Sequence, residues 1–340
     1  MDNMKGFVQN SRLIRKEFAV KICVLGAGAL GCAIGGVLTE AGHEVWLINR
    51  HAEQVDAMNS RGLILRDGGV DRAVPVHAAT TAQGVNMASG AVDLVIVLVK
   101  SFHTRQAMEA ATSLLGPDTA VLSLQNGLGH EDILAEIVGR ERVLAGKTYV
   151  GGTQLAVGHV IVGTRGKDTH IGELDGRITG RVQRIADAFN GAGLNTTVSD
   201  NIMGTIWDKL LINVATGALT AITRLTYGQL YRQPELEACG VAAVAEAMAV
   251  AQASGIRLGI TEPRQAWLKA GAGMPDEFKT SMLQSLEKGS VTEIDFVNGA
   301  VVRWGAACGV PTPVNQTLVA CITGIELGLP PFIAHSLTNA

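Results

Sequence analysis

Through the first two hundred residues, short continuous apolar runs alternate with segments whose apolar positions recur at helical spacing. KICVL (21–25), EVWLI (44–48), DLVIVLV (93–99) and AVLSL (120–124) are too short for buried helices and are predicted as strands buried on both faces. Between the first two, LGCAIGGVLTEAG (30–42) reads as a helix closed by Gly42. RVLAGKTYVGG (142–152) and GHVIVGT (158–164) alternate more strongly and predict further strands. HIGELDG (170–176) then turns into a helix over RVQRIADAFNGAG (181–193). Strands separated by helices imply a largely parallel sheet covered on both faces.

The pattern changes near residue 201. Strand-like runs fade, and helices are predicted over 201–222, 234–255, 262–270, 278–287, 293–308 and 314–327. The expected fold is therefore α/β: a Rossmann-type doubly wound sheet over 20–200, followed by an all-helical C-terminal domain over 201–335, with residues 1–19 as an N-terminal extension.

Composition narrows the functional classes. The chain has 340 residues, 47% hydrophobic and 17% charged, which fits a core-rich folded protein rather than a disordered one. Its formal net charge of -3, with no lysine or arginine block, removes the electrostatic footprint of a nucleic-acid binder. Cys23, Cys32, Cys239, Cys308 and Cys321 form no CxxC pair and mostly sit among apolar neighbours, as reduced thiols do, so a cytoplasmic address is expected. Residues 1–19 carry both charge signs and no apolar core of signal-peptide length. Apolar runs such as LVIVLV (94–99) fall well short of the roughly 20 residues that cross a bilayer, so no membrane partner is expected.

The first candidate chemistry is GAGALG, Gly26 to Gly31, placed after a strand, at the start of a helix and before a second strand. In that order a G-x-G-x-x-G run binds a dinucleotide: Gly26 takes the tight turn, Gly28 lets the backbone approach a pyrophosphate, and Gly31 lets helix and strand pack closely. Ala27, Ala29 and Leu30 complete the loop, whose helix-start N–H groups favour an anion. An ordinary glycine turn is the bland alternative. At the end of the second strand, where a carboxylate would select NAD, stand Asn49 and Arg50, which suit the 2′-phosphate of NADP instead. Lys100, at the end of another strand, is a second cation at the same edge. A solvated surface arginine is the competing reading of Arg50. Asn126 follows AVLSL at the same rim, and by itself reads equally well as a turn residue before Gly127.

In the helical half, Lys209 and Asn213 are four residues apart and share a helix face among Leu210, Leu211, Ile212 and Val214. A partly desolvated lysine there would have a lowered pKa and could give a proton to a developing alkoxide; a snorkelling lysine is the alternative. Thr292 and Asp295 fit a capping start that would put Glu293 in the first turn of a helix, where compensation of the helix dipole also explains it. Thr280 or Ser281 would cap the preceding helix.

Taken together, GAGALG (26–31), QNGLG (125–129), WDKLLIN (207–213) and SMLQ…TEIDFVNG (281–299) resemble the ketopantoate reductase (2-dehydropantoate 2-reductase) family over nearly the whole chain after residue 20. The resemblance implies NADPH-dependent reduction of 2-dehydropantoate to pantoate, a step towards pantothenate and coenzyme A. Lys209 would be the general acid, and Glu293 would hold and orient the substrate. Asn126 would lie between nicotinamide and substrate, Asn213 and Ser281 would help bind the 2-keto acid, and Arg50 and Lys100 would grip the 2′-phosphate. Residues 20–200 would then be the NADP-binding domain, 201–335 a substrate domain able to form a homodimer, with the active cleft between them. Three positions depart from the family pattern: Gly217 and Tyr227 replace expected asparagines, and Ser285 replaces an aspartate. They open the alternative of another branched or bulkier 2-oxo acid as substrate. A protein that binds NADP(H) as a redox sensor without turnover would keep the glycine loop and Arg50 but would need no Lys209. No metal site is expected.

Overall fold

The structure, a computed structural model, describes residues 19–164 and 166–329. The expected extension up to residue 18 and the end of the expected helical domain beyond 329 lie outside them. By its internal contacts the chain forms two units: residues up to Gln125 with His130–Ile202, and Asn126–Gly129 with Met203 onward.

The first unit is built on an eight-stranded sheet. Its strands are β1 (Lys21–Leu25), β2 (Glu44–Ile48), β5 (His77–Ala79), β6 (Val92–Val97), β7 (Leu115–Ser123), β8 (Val143–Thr148), β11 (Thr169–Glu173) and β12 (Thr196–Val198). Their order is β12-β11-β8-β7-β6-β1-β2-β5. All neighbours run parallel except β8 and β11. The chain leaves β1 in one direction for β2 and β5, and then returns to its other side at β6. That reversal is the switch point where doubly wound sheets bind ligands at their carboxyl ends. Ile22 and Val24 of β1 face one core cluster and Cys23 and Leu25 the other, so the run is apolar throughout because both faces are buried. Helices α1 (Ala29–Glu40), α2 (Ala52–Arg61), α3 (Ala82–Ser89), α4 (Thr104–Glu109), α5 (His130–Val138) and α6 (Gly180–Gly191) supply the covering layers.

A second, four-stranded sheet was not expected from the sequence pattern. It consists of β3 (Leu63–Asp67), β4 (Val70–Val74), β9 (Gly151–Ala156) and β10 (His159–Gly163), in the order β4-β3-β10-β9. The continuous strand expected over 142–152 is therefore two strands in two sheets. This second sheet explains why α1 is so rich in glycine. A Cβ at Gly35 would fall 2.4 Å from Leu47 of the main sheet, and one at Gly36 would fall 2.8 Å from Leu65 of the small one. Between two layers at that distance there is no room for side chains.

The second unit is helical: α7 (Ile202–Thr223), α8 (Tyr227–Leu230), α9 (Pro234–Ala253), α10 (Pro263–Gly271), α11 (Ser281–Glu287), α12 (Asn298–Cys308) and α13 (Pro313–Leu327). Proline opens α9, α10 and α13, where its missing N–H is not needed. Helix α7 ends at Thr223, and Arg224 after it has a positive φ of 62°. Successive residues of WDK point in different directions. Trp207 is buried and meets Trp304 edge-on, with ring centroids 5.6 Å apart. Asp208 accepts the backbone N–H groups of Gly259 and Ile260 at 3.0 and 2.9 Å. Contrary to the expectation drawn from shorter runs, α9 is long and apolar enough to cross a membrane, with mean hydropathy 1.4 over its window. It packs within this unit, and Glu246 on it accepts the N–H groups of Val314 and Asn315 at the start of α13, at 2.8 and 3.0 Å.

In the first unit the buried Glu173 accepts from Arg181 Nε at 2.8 Å and from Thr179. Burial by itself would raise its carboxyl, but the bonds from Arg181 and Thr179 outweigh it and hold the group below the ordinary value. Arg181→Ala strands that carboxylate and is expected to cost about 3 kcal/mol in urea unfolding at pH 7. The native stabilisation is complete above the ordinary carboxylate range and is lost as pH falls through the lowered value. The gap between wild type and variant should therefore close on acidification.

Candidate active site

The glycine loop has the geometry that its three separate roles require. Gly26 has φ of 107°, and a Cβ there would lie 2.5 Å from the backbone nitrogen of Val99, so only glycine fits. A Cβ at Gly31 would strike the Gly26 carbonyl at 2.3 Å. At Gly28 an added Cβ would meet nothing within 4 Å, which leaves the backbone open to a close-lying group. Gly28 caps α1 without a side-chain bond, and no acidic residue stands in the first turn. The start of α1, formed by Ala29, Leu30 and Gly31, thus presents its positive end without an internal carboxylate to compete with a phosphate. Ala27 is buried beneath the loop and donates its N–H to Ile48 at 2.8 Å.

At the carboxyl edge, Asn49 turns out to be a brace. Its amide donates to the Ala27 carbonyl at 2.7 Å, and its oxygen accepts the His51 N–H at 2.9 Å. Asn49 therefore holds the glycine loop to the end of β2 and is not free to meet a phosphate. Arg50 is exposed, with its Nε 3.4 Å from His51. Lys100 is also exposed, just beyond β6. Strands β2 and β6 flank β1 on opposite sides, two strand spacings apart, or about 10 Å. His51, whose Nε2 accepts from Arg50 Nε, is a further polar residue at this edge to which the sequence did not point. Gln125 donates to the Val99 carbonyl at 2.9 Å and to Thr104 at 2.8 Å, which ties down the segment carrying Lys100.

The helical unit contains a cavity of about 190 Å³ whose lining residues all belong to that unit. Asn126, Asn213, Ser281 and Glu293 line it together, so four residues singled out from distant parts of the sequence converge. Lys209 joins them through its ammonium, which donates to Asn126 Oδ1 at 2.7 Å. Asn126 is fixed from below. Gly127 has φ of 99°, a Cβ on it would fall 2.4 Å from the Phe296 carbonyl, and Leu128 donates to that same carbonyl at 2.9 Å. The turn Ile294–Phe296 that supports Asn126 also carries Glu293 at its start.

Glu293 is not in the first turn of a helix, as the capping pattern had implied. Thr292 does accept the Ile294 N–H at 3.1 Å, but the turn stops at Val297, whose φ and ψ of -109° and -95° separate it from α12. Thr280 is the N-cap of α11, accepting from Leu283 at 3.3 Å, and this leaves the Ser281 hydroxyl to the cavity rim. The three departures Gly217, Tyr227 and Ser285 all line the cavity. Thr216, Phe278, Thr280, Met282 and Val297 line it too and were not anticipated. Thr216 and Gly217 were within reach of sequence reasoning, because they continue the Lys209–Asn213 face of α7 by a further turn.

A dinucleotide-type glycine loop on a doubly wound sheet, followed by a helical unit with a lysine-amide pair beside a small polar-ended cavity, defines a class of two-part NAD(P)-linked oxidoreductases. Residues 22–176 match the model of the ketopantoate reductase PanE/ApbA family and residues 201–326 match the model of its C-terminal part. The chain belongs to this family. It is 33% identical to the 2-dehydropantoate 2-reductase of Archaeoglobus fulgidus, over 91% of this chain and 99% of that one. It is also 33% identical to the 2-dehydropantoate 2-reductase of Pyrococcus horikoshii, over 90% and 98%. Among solved structures it resembles a PanE/ApbA family ketopantoate reductase from Ralstonia eutropha, with TM-score 0.81, 36% identity and coverage of 91% and 99%. It also resembles D-mandelate dehydrogenase in a ternary structure with NADH and anilino(oxo)acetate, with TM-score 0.82, 29% identity and coverage of 91% and 99%.

Gly217 lies inside the 22-residue helix α7, yet its φ is not positive and a Cβ there would meet only Met282 Cε, at 3.6 Å. A glycine in a helix interior costs about 0.5–1 kcal/mol relative to alanine. Gly217→Ala is therefore expected to stabilise the protein by that amount and to raise the thermal midpoint by about 2 °C in calorimetry.

Proposed function

We propose that this protein reduces 2-dehydropantoate to pantoate with NADPH, with residues 20–200 binding the cofactor and residues 201–335 holding the substrate. The observation that carries the reading is the Lys209 ammonium fixed on Asn126 at 2.7 Å, beside a cavity that Asn213, Ser281 and Glu293 also line. NADPH, when bound, supplies the hydride to the keto carbon. As charge develops on the keto oxygen, Lys209 faces it as the proton donor, and its positive charge favours the transition state more than the neutral ketone. The bond to Asn126 restricts the long lysine side chain before the substrate arrives, so little ordering is left to be done in the reaction. Asn213 and Ser281 supply neutral donors for the carboxylate, and Glu293 orients the substrate from the opposite segment.

For the cofactor, the open backbone at Gly28 and the uncapped start of α1 fit a pyrophosphate, with Ala27, Ala29 and Leu30 shaping the loop between Gly26 and Gly31. Arg50 and Lys100 fit the 2′-phosphate, and this favours NADPH over NADH. We further propose a cytoplasmic location, which the five free cysteines accord with. The apolar helical unit would provide the face of a homodimer.

Two measurements test this reading. With 2-dehydropantoate and NADPH followed at the nicotinamide absorbance, Lys209→Ala is expected to lower kcat by about 10²–10⁴-fold, the usual contribution of a general acid. NADPH affinity, read by cofactor fluorescence, should stay within a factor of two. Loss of turnover with cofactor binding intact separates a reductase from a sensor, and a Lys209→Ala enzyme as fast as wild type would refute the assigned role. Arg50→Ala should raise KM for NADPH about tenfold, the loss of one charge-assisted contact of about 1.5 kcal/mol, with a far smaller change for NADH.

A further inference from the structure

The cavity has two chemically different ends. On α7 the residues 209, 213, 216, 217 and 220 share one face, so Lys209 and Gly217 are eight residues, or about 12 Å, apart along the helix axis. Around Lys209 and Asn213 the wall is polar. At Gly217 the neighbour is Met282, whose Cε would be 3.6 Å from an added Cβ, and Tyr227 and Phe278 are the aromatic residues of the lining.

The hydroxyl groups at the Gly217 end pair with one another. Thr220 donates to the Gly217 carbonyl at 3.0 Å, which makes Thr280, 2.6 Å from Thr220, the donor in their pair. Thr216 and Tyr227 pair through their hydroxyls at 2.9 Å, either being able to donate. Ser281 lies between Thr280, which is 2.6 Å from Thr220, and Met282, whose Cε would be 3.6 Å from a Cβ at Gly217, whereas Asn213 stands one helical turn nearer Lys209. With the keto group by Lys209 and the carboxylate between Asn213 and Ser281, the rest of the cavity, beside Gly217, Tyr227 and Phe278, is left for the side chain.

The wall that receives the side chain is rigid and aromatic. Tyr227 packs on Phe278 with ring centroids 4.8 Å apart and on Tyr231 at 5.5 Å, and Tyr231 in turn packs on Trp267 at 4.7 Å. The backbone holds it as well, since Tyr227 donates its N–H to the Phe278 carbonyl at 3.0 Å. Opposite this wall stands a glycine that destabilises its helix and that no contact of the fold requires. The space it leaves belongs to the cavity.

We infer that Gly217 is a specificity-determining residue and that the site takes 2-oxo acids with a bulky apolar, preferably aryl, side chain, which fills the gap at Gly217 and packs against Tyr227 and Phe278. This rests on the 2-oxo acid reductase reading above and extends it from the reacting carbon to the far end of the substrate. An aryl ring gains burial and offset packing against the tyrosine, and a small side chain leaves the gap unfilled. Each side-chain carbon in such a pocket changes kcat/KM by about tenfold or more.

The test measures kcat/KM with NADPH for pyruvate, 2-dehydropantoate and benzoylformate, for wild type, Gly217→Ala and Gly217→Val. The wild-type ratio of benzoylformate to pyruvate is expected to be at least ten. Gly217→Val should lower that ratio tenfold or more, with Gly217→Ala between. A wild-type ratio below ten overturns the inference, as does a ratio that the substitutions leave unchanged while circular dichroism shows the helices intact. If the valine variant does not fold, the wild-type series and Gly217→Ala decide. Reduction of 2-dehydropantoate without a preference for the aryl acid ends this inference and leaves the reductase reading standing; failure to reduce any of the three acids ends both.

Discussion

The 2.7 Å bond between Lys209 and Asn126 is the constraint to which the rest of the site is built. A lysine side chain has four rotatable bonds and, left to itself, spreads its charge through many positions. Here the Asn126 amide oxygen gives it a fixed address. That acceptor depends on Gly127, whose positive φ lets the chain back onto the Phe296 carbonyl. The rotation of α7 that aims Lys209 depends on its two predecessors, one in the core and one holding the 259–260 loop. A short sequence motif therefore encodes three tasks: Trp207 fills the core, Asp208 braces the 259–260 loop and Lys209 meets Asn126.

Helix α1 shows the same economy at the other end of the chain. A helix that starts at a phosphate-type loop must lie close to the main sheet, and in this protein a second sheet closes on its opposite side. Glycines that look redundant in the sequence are the spacing between layers. Asn49 is a related case: it stands where a ribose-recognising residue is expected, yet its amide is spent on the loop.

Much of this was legible in the residues. Buried parallel strands announce themselves as unbroken apolar runs, and β1, β2, β6 and β7 were read from that alone. The helices after residue 201 followed from their 3.6-residue period and their prolines. The small sheet was not legible, because β3 and β4 are short and carry Arg66, Asp67, Asp71 and Arg72, and because the hairpin they form is built into a sheet only by the pairing of β3 with β10, far along the chain. Of the site, Lys209, Asn213 and Gly217 share a helix face and could be grouped from spacing. Asn126, Glu293 and Tyr227 could be grouped only through family resemblance, because local sequence does not encode which turns meet. The position of Glu293 was misjudged for a related reason: Thr292 caps a single turn, and only the backbone angles at Val297 show that the helix begins later.

The excursion of Asn126–Gly129 into the helical unit has a consequence for the protein's modularity. A fragment beginning at Met203 would carry the lysine of the pair without its amide acceptor, and one ending at Ile202 would carry the amide without the lysine. The chain therefore cannot be divided into exchangeable cassettes at its apparent boundary. Any recombination that swaps the C-terminal half between relatives must also preserve four residues located more than seventy positions upstream.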